Sequence, residues 1–195
     1  MRMFDRARLR PTLAVAAVIA GVVAGGLALD GFLPAPSAGT QEIGAGVTMT
    51  AASGWVLVSK ASAEGTSSDR GSSPGVELQK GDATLAAQVV GRDYGGDSQA
   101  IMSQVRSQLD TQVAQISYGD EHRTTISGND ATYVLFEAIV SGSGDGAQLG
   151  TVDGELVCMV VSGNAVVVEV AAPQGDLQFV TDDVSAMVAT VRASR

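Results

Sequence analysis

Eighteen residues, Thr12 to Leu29, pass without a charge, and after Asp30 the run continues through Gly31, Phe32 and Leu33. A helix of eighteen to twenty-two residues rises roughly 27–33 Å, close to a hydrocarbon core of about 30 Å. A secretory signal core is usually shorter, about 7–15 residues. The run is therefore expected to be a transmembrane signal anchor over 12–33. Residues 1–11, with Arg2, Arg6, Arg8 and Arg10 against Asp5, form a basic tail that stays cytoplasmic. Everything after Leu33 is then extracytoplasmic. Gly21 and Gly25 stand in a G-x-x-x-G spacing that can bring two such helices together weakly.

The charge outside this segment bears on partners. The whole chain carries a formal net charge of −9. Residues 1–33 hold four Arg against Asp5 and Asp30, which leaves eight basic and nineteen acidic residues for the rest. An exported domain this acidic repels phosphate backbones, so nucleic acid is excluded as a partner.

Residues 34–45 are rich in Pro, Ala, Ser and Gly and read as a flexible linker. Residues 46–195 follow as one extracytoplasmic domain. Alternating runs Val47–Ala51 and Trp55–Ser59 about Ser53-Gly54 predict a first hairpin. The polar stretch 61–75 predicts a loop, and Lys80-Gly81-Asp82 turns between strands at 76–80 and 83–90. Ile101, Val105, Leu109 and Val113, with Met102 and Ile116 beside them, predict an amphipathic helix capped by Asp97 or Ser98. A short strand led by His122, three longer runs at 131–140, 149–161 and 165–173, and the turns between them predict an antiparallel meander. Val180, Val184, Met187, Val188 and Val191 predict a closing helix. The fold class expected is α+β: an antiparallel sheet flanked by two helices, preceded by one transmembrane helix.

This order, with Gly54-Trp55 at the first turn, the "VVVEVAAP" strand ending at Pro173 and the final "VSAMVATVR", resembles the PsbP-like α/β/α sandwich. Many such domains sit outside actinobacterial membranes, some as lipoproteins of the LpqN/LpqT type. The resemblance implies a non-enzymatic binding or assembly factor. This chain has no lipid-accepting cysteine near its anchor.

No constellation for catalysis emerges. Gly71-Ser72-Ser73-Pro74-Gly75 matches G-x-S-x-G, but a polar loop precedes it where a nucleophile elbow needs a strand. His122 is the one histidine and is expected at an exposed strand start. Cys158 lies in "LVCMVV" and is expected to be a buried hydrophobe. Asp182-Asp183 point apart on a helix, and Asp145 is alone where a calcium loop wants several carboxylates. No catalytic, cofactor-binding or metal residue is nominated. Trp55 is expected to cover one end of the core. The expected function is a membrane-anchored binding or assembly module with a protein partner at the cell envelope. Its free loops at 61–75, 92–97 and 142–148 are the expected contact surface. A small exported hydrolase or metal-dependent enzyme is the alternative.

Overall fold

The computed structural model describes residues 39–61, 75–141 and 149–194. Its strands are β1 (Thr40–Gly44), β2 (Val47–Thr50), β3 (Val56–Ala61), β4 (Gly75–Lys80) and β5 (Ala83–Gly91). Helix α1 (Ser98–Gln112) follows. Then come β6 (Gln115–Tyr118), β7 (His122–Ile126), β8 (Asn129–Ser141), β9 (Leu149–Val161) and β10 (Asn164–Pro173). A short turn of 3-10 helix at Leu177–Phe179, helix α2 (Thr181–Val188) and β11 (Arg192–Ala193) close the chain.

The main sheet has eight strands in the order β3-β4-β5-β10-β9-β8-β6, with β7 also paired to β8. All its pairings are antiparallel. The central strand β10 is buried on both faces, and alternate residues feed two cores. Val166, Val168, Val170 and Ala172 face one, and Ala165, Val167 and Ala171 face the other. That explains its near-continuous valine run, where a half-buried strand would alternate with polar residues.

The first core lies under a second sheet, β1-β2-β11, with α2 beside it. Ile43, Val47, Met49, Trp55, Val184, Met187, Val188 and Val191 fill it from that side. The second core lies under α1, which presents Ile101, Met102, Val105 and Leu109. Asp97 caps α1, accepting from the Ala100 N–H at 2.9 Å.

The expected fold class is corrected by this arrangement. Of the described residues 56% are strand and 20% helix, so a sheet between two helices is the wrong description. A second small sheet does most of the covering on one face, and α2 is eight residues long. The closing helix stops early because β-branched Thr190 and Val191 leave it. Their N–H groups bond the carbonyls of Met187 and Val188 in a tightened turn, and Arg192–Ala193 then pair with β2. The expected spanning helix at 12–33, with Gly21 and Gly25, lies outside the described residues. Among the described residues no helix is long and apolar enough to cross a membrane.

Other differences are local. Thr40–Gly44, inside the stretch read as linker, is strand β1. Val47–Thr50 and Val56–Ala61 do not pair with one another: β2 joins the small sheet and β3 the large one. Helix α1 ends at Gln112, and Ile116 sits in β6, where it pairs with Ala138.

A candidate binding groove

The two covering layers are offset across the main sheet. Helix α1 packs on β6, β8 and β9, whereas the small sheet packs over β4 and β5 on the other face. On that second face the described residues leave the far half of β8 and the facing part of β9 bare. Leu135 is 53% exposed there, and Phe179, just beyond β10, is 75% exposed. A groove of about 530 Å³ opens at this place. Ser117, Tyr118 and Gly119 line one side, Leu135, Glu137, Asp153 and Gly154 the floor, and Gly175, Leu177 and Gln178 the other side.

The register of the sheet fixes what faces into the groove. Glu137 stands directly across from Asp153, and Leu135 directly across from Glu155. Side chains two apart on a strand share a face, so these four form one patch. Asp153 accepts from the Gly175 N–H at 2.7 Å. No ion pair involves Glu137, Asp153 or Glu155 among the described residues. Burial pushes the Glu155 carboxyl above the usual carboxylate range.

Behind the floor, on the α1 face of the sheet, Gly154 lies opposite Phe136. A Cβ built there would lie 2.1 Å from Phe136 Cζ and 2.6 Å from the Val170 carbonyl oxygen. Only a glycine leaves room for the Phe136 ring to lie across β9. On the α1 side of this edge, the Arg106 guanidinium sits 4.2 Å from the Tyr118 ring centroid and 3.5 Å from Glu121.

Residues singled out in the sequence fall elsewhere. Cys158 is fully buried in the α1 core. Burial, with the Glu121 and Glu169 carboxylates beyond it, pushes its thiol well above the ordinary value. His122 stacks on Tyr133, centroids 5.1 Å apart, and does not line the groove. Ser117 therefore has no imidazole at hand to activate it. Trp55 is fully buried at the end of the first core, as expected, and its indole Nε1 donates to Asp183 at 3.1 Å. The same Asp183 oxygen meets Lys80 Nζ at 2.5 Å. These contacts, Lys80 first, hold the Asp183 carboxyl below the usual range. Asp183 is thus a strut between β4 and α2.

Within segment 92–97, expected to be a free contact loop, Tyr94 and Asp97 are built into the fold, while Arg92, Asp93, Gly95 and Gly96 are exposed. The Tyr94 N–H donates to the Gly163 carbonyl, and Tyr94 packs on the α1 core. Asp97 caps α1 and lies 3.6 Å from Arg123. Arg123 also donates to Asp130, which accepts from the Ser98 N–H at 2.7 Å. That backbone bond leads the causes that lower the Asp130 pKa. Of the expected loop 61–75, Ala61 and Gly75 belong to β3 and β4, and residues 62–74 and 142–148, with Ser73 and Asp145, lie outside the described residues. Among the described residues no three His, Cys, Asp or Glu side chains gather as a metal would need.

Sequence reasoning missed the groove. Leu135, Glu137 and Asp153 read as ordinary members of alternating strands. Glu169 was missed too. It lies on β10 facing α1, is 2% exposed, and neither carboxylate oxygen has a hydrogen-bond partner among the described residues. Burial raises its pKa to about 8.

No family model matches the sequence, and no curated protein matches it. Solved structures do. Cyanobacterial PsbP (CyanoP) from Synechocystis is 12% identical, with a TM-score of 0.49 over 85% of this chain and 99% of that one. LpqN of Mycobacterium tuberculosis, described as involved in cell envelope biogenesis, is 16% identical, with a TM-score of 0.39 over 85% of this chain and 88% of that one. A Pseudomonas aeruginosa protein of unknown function is 10% identical, with a TM-score of 0.45 over 58% and 74%. PsbP and LpqN, the two kinds of protein that the sequence resembles, are thus both among the structures this chain is similar to. Likeness at these identities concerns the course of the backbone.

Proposed function

We propose that the protein is a non-catalytic binding module at the outer side of the cell membrane, brought there by residues 12–33, with the groove beside Leu135 as its contact surface. The observation that carries this reading is the uncovered half-sheet. A β-sheet face is normally closed by another layer. Here Leu135 stands exposed in a concave opening, among carboxylates that have no cation partner within the described fold. Large exposed apolar side chains bordered by polar ones mark interaction sites. The groove offers binding chemistry: Leu135 and Leu177 for apolar contact and the Glu137 and Asp153 carboxylates for orientation.

The test is site-specific photocrosslinking in living cells. A photoreactive residue placed at Leu135 should capture a discrete partner, and one placed at Thr111 on the exposed side of α1 should not. Equal capture from both positions removes the groove as the contact surface. Turnover of an ester, peptide or phosphate substrate by the purified protein, abolished by Ser117→Ala, removes the non-catalytic reading.

A further inference from the structure

We infer that the groove takes its partner as an extended, lysine-bearing polypeptide segment that adds to the open edge of β6. This rests on the groove being the contact surface and names the partner's form.

The first ground is the edge. β6 ends the main sheet, and among the described residues no strand pairs with its outer side. The Gly119 N–H donates to the Leu135 carbonyl at 2.9 Å. In an antiparallel ladder such residues alternate with ones whose backbone groups point away. The N–H and C=O of Ile116 and Tyr118 therefore face outward and can receive another chain. The far edge is built differently. There β3 carries Lys60 and a register break between Leu57 and Ser59, both of which blunt an edge against pairing. β6 carries neither device.

The second ground is the path from edge to floor. On the groove side β6 presents Gln115 and Ser117, of which Ser117 lines the groove, with Gly119 just after it. A Cβ at Gly119 would sit 3.7 Å from the Leu135 carbonyl oxygen and 4.0 Å from Leu135 Cβ, so the glycine leaves open space over that residue. A strand added at the usual spacing of about 4.8 Å lies roughly 10 Å from β8. A lysine side chain spans the larger part of that distance over Ser117 and Gly119, and the Glu137 side chain, reaching back from β8, closes the rest; a short side chain leaves the gap open. The lysine stem would lie toward Leu135, and its ammonium would meet Glu137, with the Asp153 carboxylate adding to the field from the next strand. Charge complementarity selects the residue type: Glu137, Asp153 and Glu155 share this face, and the groove lining contains no Lys, Arg or His.

The probe is an acetylated, amidated Lys-Val-Lys-Val-Lys-Val-Lys peptide, added to the isotope-labelled full-length protein in neutral detergent micelles. Binding should slow amide exchange at Ile116 and Tyr118 and shift the signals of Leu135, Glu137 and Asp153. The same peptide, methylated at every backbone nitrogen, keeps its charge but cannot pair, and should bind at least tenfold more weakly. Gly119→Val should weaken binding by a similar factor without changing the melting temperature, and Thr111→Val should not. Equal binding of the methylated peptide overturns strand addition but leaves the groove as contact surface. Protection at residues 56–61 instead of 116–118, or no binding at millimolar peptide, overturns the assigned edge or the assigned chemistry. Failure of Leu135 crosslinking in cells would strike the groove reading itself.

Discussion

Glu137 and Asp153 face one another directly across β8 and β9, two carboxylates in one cross-strand pair, with no cation beside them among the described residues. Like charges so placed oppose folding by about 0.2–1 kcal/mol. Asp153 is held by the Gly175 N–H, so Glu137 is the freer member. Glu137→Gln should therefore raise stability by a few tenths of a kcal/mol in urea denaturation, with a smaller gain in high salt. It should also weaken partner binding. A loss of stability on this replacement would show that Glu137 serves the fold and not the groove.

Gly154 and Phe136 form a second coupled pair. Gly154→Ala forces the Phe136 ring off β9 and crowds the Val170 carbonyl, and overpacking of this kind costs about 1–3 kcal/mol. Phe136→Leu alone removes buried contact. Together the two should be less harmful than their sum, because the smaller side chain clears part of the clash. A double-mutant cycle in urea measures this. Strict additivity would mean that the ring does not occupy the space above Gly154.

Much of this architecture is legible in the chain. The alternation through 131–140, the valine run of β10 and the fourfold spacing of Ile101, Val105 and Leu109 report local geometry, and local geometry followed them. What escaped was long-range. Nothing in Thr40–Gly44 or Arg192–Ala193 announces a strand, because each is ordered by pairing with β2 from opposite ends of the domain. Ile116 fits the helical spacing as well as the strand it joins, and its pairing with β8 decided the matter. The groove follows from the offset of two layers over one sheet. Exposure of Leu135 is a property of what fails to cover it, and no residue near Leu135 in sequence encodes that. The carboxylates of the groove alternate with buried residues as any solvent-facing side chains would.

Glu169 makes stability depend on pH. Its carboxyl has a pKa of about 8 in the folded state, raised by burial, against an ordinary value of 4.5. The folded state favours the neutral acid, so this contribution is complete below about pH 4.5 and declines as pH rises through 8. The slope across that window is about 1.4 kcal/mol per pH unit for a single such group. Glu169→Gln should flatten the fall in melting temperature between pH 5 and pH 8. An unchanged pH profile in this variant would show that the group ionises normally, with solvent reaching it.

Cys158 should be silent in the native protein. It is fully buried and its thiol is pushed up, so little thiolate exists to react. A thiol reagent should label it slowly in buffer and within seconds in strong denaturant. Fast labelling in buffer would place an opening motion in the centre of the sheet.

That silence permits the most direct test of the central claim. In a Cys158→Ala background, Leu135→Cys places a reactive thiol in the groove and Thr111→Cys places one on the exposed side of α1. Each is labelled with a membrane-impermeant maleimide, once on intact cells and once on the purified protein. If the groove holds a partner at the envelope, Leu135→Cys labels rapidly when purified and at least tenfold more slowly in cells, while Thr111→Cys labels alike in both. Equal labelling of Leu135→Cys in cells and in the purified state would contradict the account, because the groove would then stand empty where the protein works.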